Sequence, residues 1–159
     1  MPPSDPPPVL TRRGLEPVAG GVPMRLPLTA HQRTSLRGRR RSACGSDLVL
    51  QLPRGAALAA GEWLAPEAGD LRVRVEAAPE ALLAVRSSEP LALMRAAYHL
   101  GNRHVAVQLL PGELRLAEDP VLADLLLRQG LAVEALTAAF EPEAGAYASL
   151  HHHHGGAPA

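Results

Sequence analysis

A series of punctuation points between Ser87 and Gly130 leaves this chain few ways to fold. Ser87-Ser88-Glu89-Pro90 has the make-up of a helix start, with a Ser or Glu cap and proline in the first turn. Gly101-Asn102 are the residue types that most readily adopt the left-handed conformation that ends a helix. Pro111-Gly112 makes a tight turn. Asp119-Pro120 opens a second helix by cap and proline, and Gly130 stops it after Arg128 has complemented the helix dipole.

The segments between these points have clear periodicities. Residues 81–86 read as a strand. Residues 90–100 read as a helix, with Leu91, Met94, Ala97 and Tyr98 on one face. Residues 105–110 and 113–116 read as two strands of a hairpin. Val121, Leu122, Leu125 and Leu126 line the buried face of the second helix, and residues 131–136 form a last strand. The order β-α-β-β-α-β is the split βαβ, or ferredoxin-like, arrangement, with two helices over one face of a four-stranded antiparallel sheet. That architecture hosts many functions and does not choose among them.

Upstream the grammar differs. Residues 1–25 are rich in Pro and Gly and read as a flexible lead-in. Residues 47–53 and 71–76 are strand-like, the latter alternating cleanly between apolar and charged. Turn signals at Arg54-Gly55 and Gly61-Glu62 separate further short strands. Residues 26–77 are therefore expected to form a small all-β domain, and residues 78–147 the ferredoxin-like domain. Residues 148–159, which include His151, His152, His153 and His154, read as a disordered tail. The basic cluster Arg37, Arg39, Arg40 and Arg41 is expected to be an exposed strand or hairpin whose charges discourage edge pairing.

Composition excludes several classes. Net charge is zero, where a dedicated nucleic-acid binder shows a basic excess. No stretch reaches the ~20 apolar residues a membrane span needs, and the N-terminus lacks the pattern of a signal peptide. A soluble cytoplasmic protein is the expectation. Cys44 is the single cysteine, so neither an internal disulfide nor a Cys-based zinc site can be built within one chain. No HExxH helix, GxSxG elbow or Walker-type loop is present, and a catalytic role is not expected.

The chemistry that remains is imidazole. His104 follows the expected helix stop, where it would open the next strand beside the negative end of the helix dipole. Neutral imidazole is the commonest protein ligand for a transition metal. Four adjacent histidines on a mobile tail can wrap a divalent cation, at an entropic cost for each ligand fixed. His99 lies five residues before His104, across the helix end, and need not point the same way. One chain thus offers a weak site. A twofold dimer changes this, because an isologous interface can bring two copies of His104 to one ion.

Taken together, Tyr98-His99-Leu100-Gly101-Asn102-Arg103-His104, the Pro111-Gly112-Glu113-Leu114-Arg115 turn, Phe140-Glu141-Pro142-Glu143-Ala144-Gly145-Ala146-Tyr147 and a His-bearing tail closely resemble the UreE family of urease accessory proteins. Leu28-Thr29 with Gln32-Arg33, and Leu52-Pro53-Arg54-Gly55, resemble that family's N-terminal domain. The resemblance runs over residues 26–154. It implies a nickel metallochaperone with a peptide-binding-like β-domain and a ferredoxin-like domain through which it forms a homodimer. It further implies that His104 binds nickel at the dimer interface with help from the tail histidines. The partners it implies are the urease accessory GTPase and the urease apoprotein-accessory complex. Zinc and copper would compete at such a nitrogen site. The chain departs from the pattern of some members by having no histidine at 116–120 and by its short tail. The readings that stand against a carrier are a peptide- or RNA-binding module using the Arg-rich segment, and a metal-dependent hydrolase.

Overall fold

The computed structural model describes residues 5–145. The chain divides into two compact units at the Ala78–Pro79 bond. The first contains β1 (Val9–Leu10), β2 (Met24–Leu28), α1 (Ala30–Thr34), β3 (Arg37–Arg41), β4 (Asp47–Gln51), β5 (Trp63–Leu64) and β6 (Val73–Ala77). Two three-stranded sheets form, in the orders β1-β4-β3 and β2-β6-β5, each with one parallel and one antiparallel pairing. Their core is almost wholly leucine and valine: Leu10, Leu26, Leu28, Leu48, Leu50, Leu52, Leu58, Leu64, Val73 and Val75. With aromatic residues at only 3% of the chain, small aliphatic side chains must fill this space.

Two expectations are corrected in this unit. The stretch read as a flexible lead-in contributes to the fold, because Val9 and Leu10 pair in parallel with Val49 and Leu50 and Leu10 is wholly buried. A two-residue strand has too little periodicity to announce itself, and its partner lies forty residues away. The unit is also not all-β, since α1 interrupts it. Thr29 caps this helix by accepting the Gln32 N–H at 3.1 Å, and the Gln32 side chain accepts the Thr29 N–H at 2.9 Å. This reciprocal capping box stabilises a helix too short to show a face. Arg33, 5% exposed, donates to the Leu28 carbonyl at 2.9 Å and ties the helix to β2. The basic cluster is the edge strand β3, with Arg41 paired to Asp47 at 3.3 Å across the hairpin.

The second unit contains β7 (Pro79–Arg86), α2 (Pro90–Asn102), β8 (Gln108–Leu110), β9 (Glu113–Ala117), α3 (Pro120–Arg128) and β10 (Ala132–Ala139). Its four strands are antiparallel in the order β10-β7-β9-β8. Leu83 and Val85 of β7, Leu114 and Leu116 of β9, and Leu131 meet Ala96 and Leu100 of α2 and Leu126 of α3 in one core. Asp119 caps α3 through one carboxylate oxygen, which accepts from Val121 at 2.8 Å and Leu122 at 3.1 Å. On the sheet, Arg86 reaches both Glu113 and Glu134 at 2.7 Å, and Arg115 shares Glu113. These ion pairs bind β7, β9 and β10 across their neighbouring ends.

Two further differences from the sequence reading matter for function. The strand expected over 105–110 begins only at Gln108. Of the α2 face read as Leu91, Met94, Ala97 and Tyr98, only Ala97 packs against the core. Ala96 and Leu100 are buried with Leu93 and Ala97 packed beside them, while Leu91, Met94 and Tyr98 are 53%, 67% and 67% exposed. Helix α2 carries two apolar stripes, and periodicity alone cannot say which one meets the sheet.

Candidate functional site

Helix α2 runs two residues past the expected stop. Gly101 and Asn102 remain helical, Arg103 is the cap, and His104 takes the left-handed conformation, at φ 57°. Among the described residues His104 is the single non-glycine with positive φ. The hydrogen bonds explain why. The His104 N–H donates to the Gly101 carbonyl at 3.0 Å and the Val105 N–H donates to the Leu100 carbonyl at 3.1 Å. This pair defines a Schellman turn, in which the residue after the cap must be left-handed. Val105 then packs into the core that holds Leu100, completing the apolar contact that accompanies such a turn.

The same turn ends α3, three elements later. There the Gly130 N–H donates to the Leu127 carbonyl at 3.0 Å and the Leu131 N–H to the Leu126 carbonyl at 3.2 Å. Gly130 occupies the left-handed position at φ 81°. One molecule thus solves one backbone problem twice, with glycine in α3 and with histidine in α2. A side chain at that position costs roughly 1–2 kcal/mol that glycine avoids. What α2 gains is an exposed imidazole, aimed by a fixed turn and without a ring hydrogen-bond partner among the described residues.

Because Val105 is consumed by the turn, residues 105–107 do not join the sheet ladder. Their hydrogen bonds go elsewhere. The Val107 carbonyl accepts the N–H of Glu143 at 2.8 Å, and the Gln108 side-chain oxygen accepts the N–H of Glu141 at 3.1 Å. The segment after β10 therefore returns as a strap alongside residues 107–108. Phe140, the only phenylalanine in the chain, anchors it at 3% exposure. A groove results, lined by Ala97, Gly101, Asn102, His104, Val105, Ala106, Val107 and Leu109 on one side and by Glu143, Ala144 and Gly145 on the other.

The expected site residues fall into three places. His104 is in this groove. His99 is exposed on α2, edge-on to Tyr98 with ring centroids 5.5 Å apart, and is not part of the groove lining. His151, His152, His153 and His154 lie outside the described residues; Gly145, six positions before His151, lines the groove. Among the described residues no group of three or more His, Cys, Asp or Glu is placed to hold an ion. Local sequence pattern assigns the strap no structural role. The signal that would have found it is the lone Phe140 directly after the last strand, followed by a proline that bars strand continuation.

Cys44 is exposed in the first unit, and its thiol is lowered to about 7 by the Ser42 hydroxyl at 3.1 Å and the Ser46 hydroxyl at 3.4 Å. Among the described residues its side-chain hydrogen-bond partners are these two hydroxyls, neither of them the imidazole or carboxylate base that activates a nucleophilic thiol. No helix among the described residues is long and apolar enough to cross a membrane.

Comparison with known proteins is specific. Residues 80–158 match the family model for the C-terminal domain of the UreE urease accessory protein. The urease accessory protein UreE of Parasynechococcus marenigrum is 55% identical over 130 residues, which cover 82% of this chain and 85% of the relative. The UreE protein of a Synechococcus species is 52% identical over 129 residues, covering 81% and 83%. That of Pseudomonas putida is 58% identical over 108 residues, covering 68% and 67%.

Proposed function

The chain belongs to the UreE family of urease accessory proteins, and from that premise we propose that it is a nickel metallochaperone that delivers Ni²⁺ for assembly of the urease active site. The observation that carries this reading is His104. The fold keeps an imidazole at a backbone position where the equivalent turn of α3 has glycine, and it presents that imidazole at the surface. Strain retained at an exposed ligand-type residue points to use rather than to stability.

The second unit is read as a ferredoxin-like domain on its βαββαβ order and its strand order, and residues 26–77 as a peptide-binding-like partner-docking domain. The exposed stripe of Leu91, Met94 and Tyr98, at helical spacing, supports a homodimer through the second unit. In that dimer two copies of His104 share one ion. His151, His152, His153 and His154 act as further ligands, because six residues of chain beyond Gly145 span up to about 20 Å. His99 is at most an auxiliary ligand. A site built from two corners and two tails is open and exchangeable, which suits transfer to the urease accessory GTPase and the urease apoprotein-accessory complex. Zinc and copper compete at the same nitrogens. The protein acts as a carrier and not as a catalyst, and we place it in the cytoplasm. The peptide- or RNA-binding alternative is weaker, since Arg40 is turned onto the carbonyls of Arg39 and Ser35 and Arg41 is paired with Asp47.

The test is calorimetric nickel titration of the full chain and of His104→Ala, with native mass measurement alongside. The expected result is loss of the tightest site, with the dimer intact. Unchanged nickel affinity in the variant refutes the reading.

A further inference from the structure

Glu143 and His104 line one groove, and the backbone of each is fixed there by a separate device: the left-handed turn for His104, the bond to the Val107 carbonyl for Glu143. The two carboxylates of the strap are not alike. Both residues are tied through their N–H groups, Glu141 to the Gln108 side chain and Glu143 to the Val107 carbonyl, but only Glu143 lines the groove. Among the described residues the Glu143 carboxylate makes no ion pair or hydrogen bond, and it is exposed. Glu113 shows the contrast: that carboxylate is held by Arg86 and Arg115 and is spent on the sheet.

We infer that Glu143 is an oxygen donor to the divalent cation that His104 takes, so that each corner supplies an imidazole and a carboxylate. This rests on the carrier reading above and adds a ligand to it. The chemistry favours the addition. Imidazoles alone make a site that copper and zinc suit as well as nickel does, while carboxylate oxygen suits harder ions and six-coordinate geometry. An anionic oxygen also offsets the positive charge of an ion held at a corner of a chain with zero net charge. The strap gives the carboxylate a defined starting point, which lowers the entropy lost when it coordinates.

Glu143→Gln tests this cleanly, because the strap is held by the backbone N–H of residue 143 and the side chain can change without releasing it. Nickel binding to full-length wild type, Glu143→Gln and His104→Ala is measured by calorimetry, at low and high salt, with nickel X-ray absorption spectra of the loaded proteins. The expected result for Glu143→Gln is a loss of affinity of about tenfold or more, at least what is lost when a group that merely orients a metal ligand is removed. The loss persists at high salt and is accompanied by a change in the nickel absorption spectrum. Unchanged affinity, or a loss that disappears at high salt, overturns the inference. If His104→Ala binds as wild type does, the carrier reading itself fails. If His104→Ala loses binding while Glu143→Gln keeps it, only the role given to Glu143 fails.

Discussion

Replacing His104 by glycine should make the protein more stable. At φ 57° the Cβ of His104 crowds its own carbonyl, a cost of roughly 1–2 kcal/mol for a non-glycine residue. Glycine removes that cost but gains freedom in the unfolded chain, which returns roughly 0.5–1 kcal/mol. The net expectation is about 1 kcal/mol in favour of His104→Gly. The backbone turn itself is unaffected, because its hydrogen bonds run between main-chain groups of Leu100, Gly101, His104 and Val105. For a unit of this size 1 kcal/mol raises Tm by about 4–8 °C, or by about 2–4 °C if the two units melt together. His104→Ala is the control. It removes the same imidazole but keeps the Cβ, so it should melt near the wild type. The assay is scanning calorimetry of all three proteins in the presence of a chelator, so that no bound ion contributes to stability. If His104→Gly melts at or below His104→Ala, the left-handed histidine stores no strain, and the comparison with Gly130 loses its force.

Two other tests follow from the ion pairs and the strap. The arginines 115 and 86 hold the Glu113 carboxyl below the usual carboxylate range, against the opposing effect of its partial burial. The unfolded chain therefore takes up the proton first as pH falls. The stability this group adds is complete above the ordinary Glu range, near 4.3, and is lost as pH falls through the lower folded value. Glu113→Gln should accordingly cost about 1 kcal/mol at pH 7, the sum of two partly exposed pairs, and urea melts of variant and wild type should converge at acid pH. A gap that stays constant with pH would show that lost packing, not charge, is responsible. Gln108→Met, which keeps the side-chain length but removes the acceptor, should speed hydrogen exchange at the Glu141 amide severalfold while Gln108→Glu does not. Equal exchange in both variants would mean that the side-chain bond does not hold the strap.

The second unit was largely legible because its breakers sit at element ends. Asp119 caps α3 as its sequence implies, Pro111-Gly112 turns β8 into β9, and Gly130 stands where the helix stops. The end of α2 was misread because Gly101-Asn102 looks like a stop and His104 does not. The cue lay in apolar spacing instead. Leu100 and Val105 are separated by the same interval as Leu126 and Leu131, and in both turns this pair closes the core behind the left-handed residue. Which stripe of α2 faces the sheet could not be read, since Leu93, Ala96 and Leu100 compete with Leu91, Met94 and Tyr98 at the same period. The strap escaped for a related reason. Its bonds join backbone and side-chain groups far apart in sequence, between Gln108 and Glu141 and between Val107 and Glu143, and such long-range pairings leave no local pattern. In the first unit the pairing of Val9 and Leu10 with β4 was hidden in the same way.

Because Glu143, Ala144 and Gly145 line the groove that holds His104, the C-terminal side of the chain is a poor place for a purification handle. A hexahistidine extension fused there would add six imidazoles that compete with His104 for the same ion. Handles for work on this protein belong at the other end of the polypeptide.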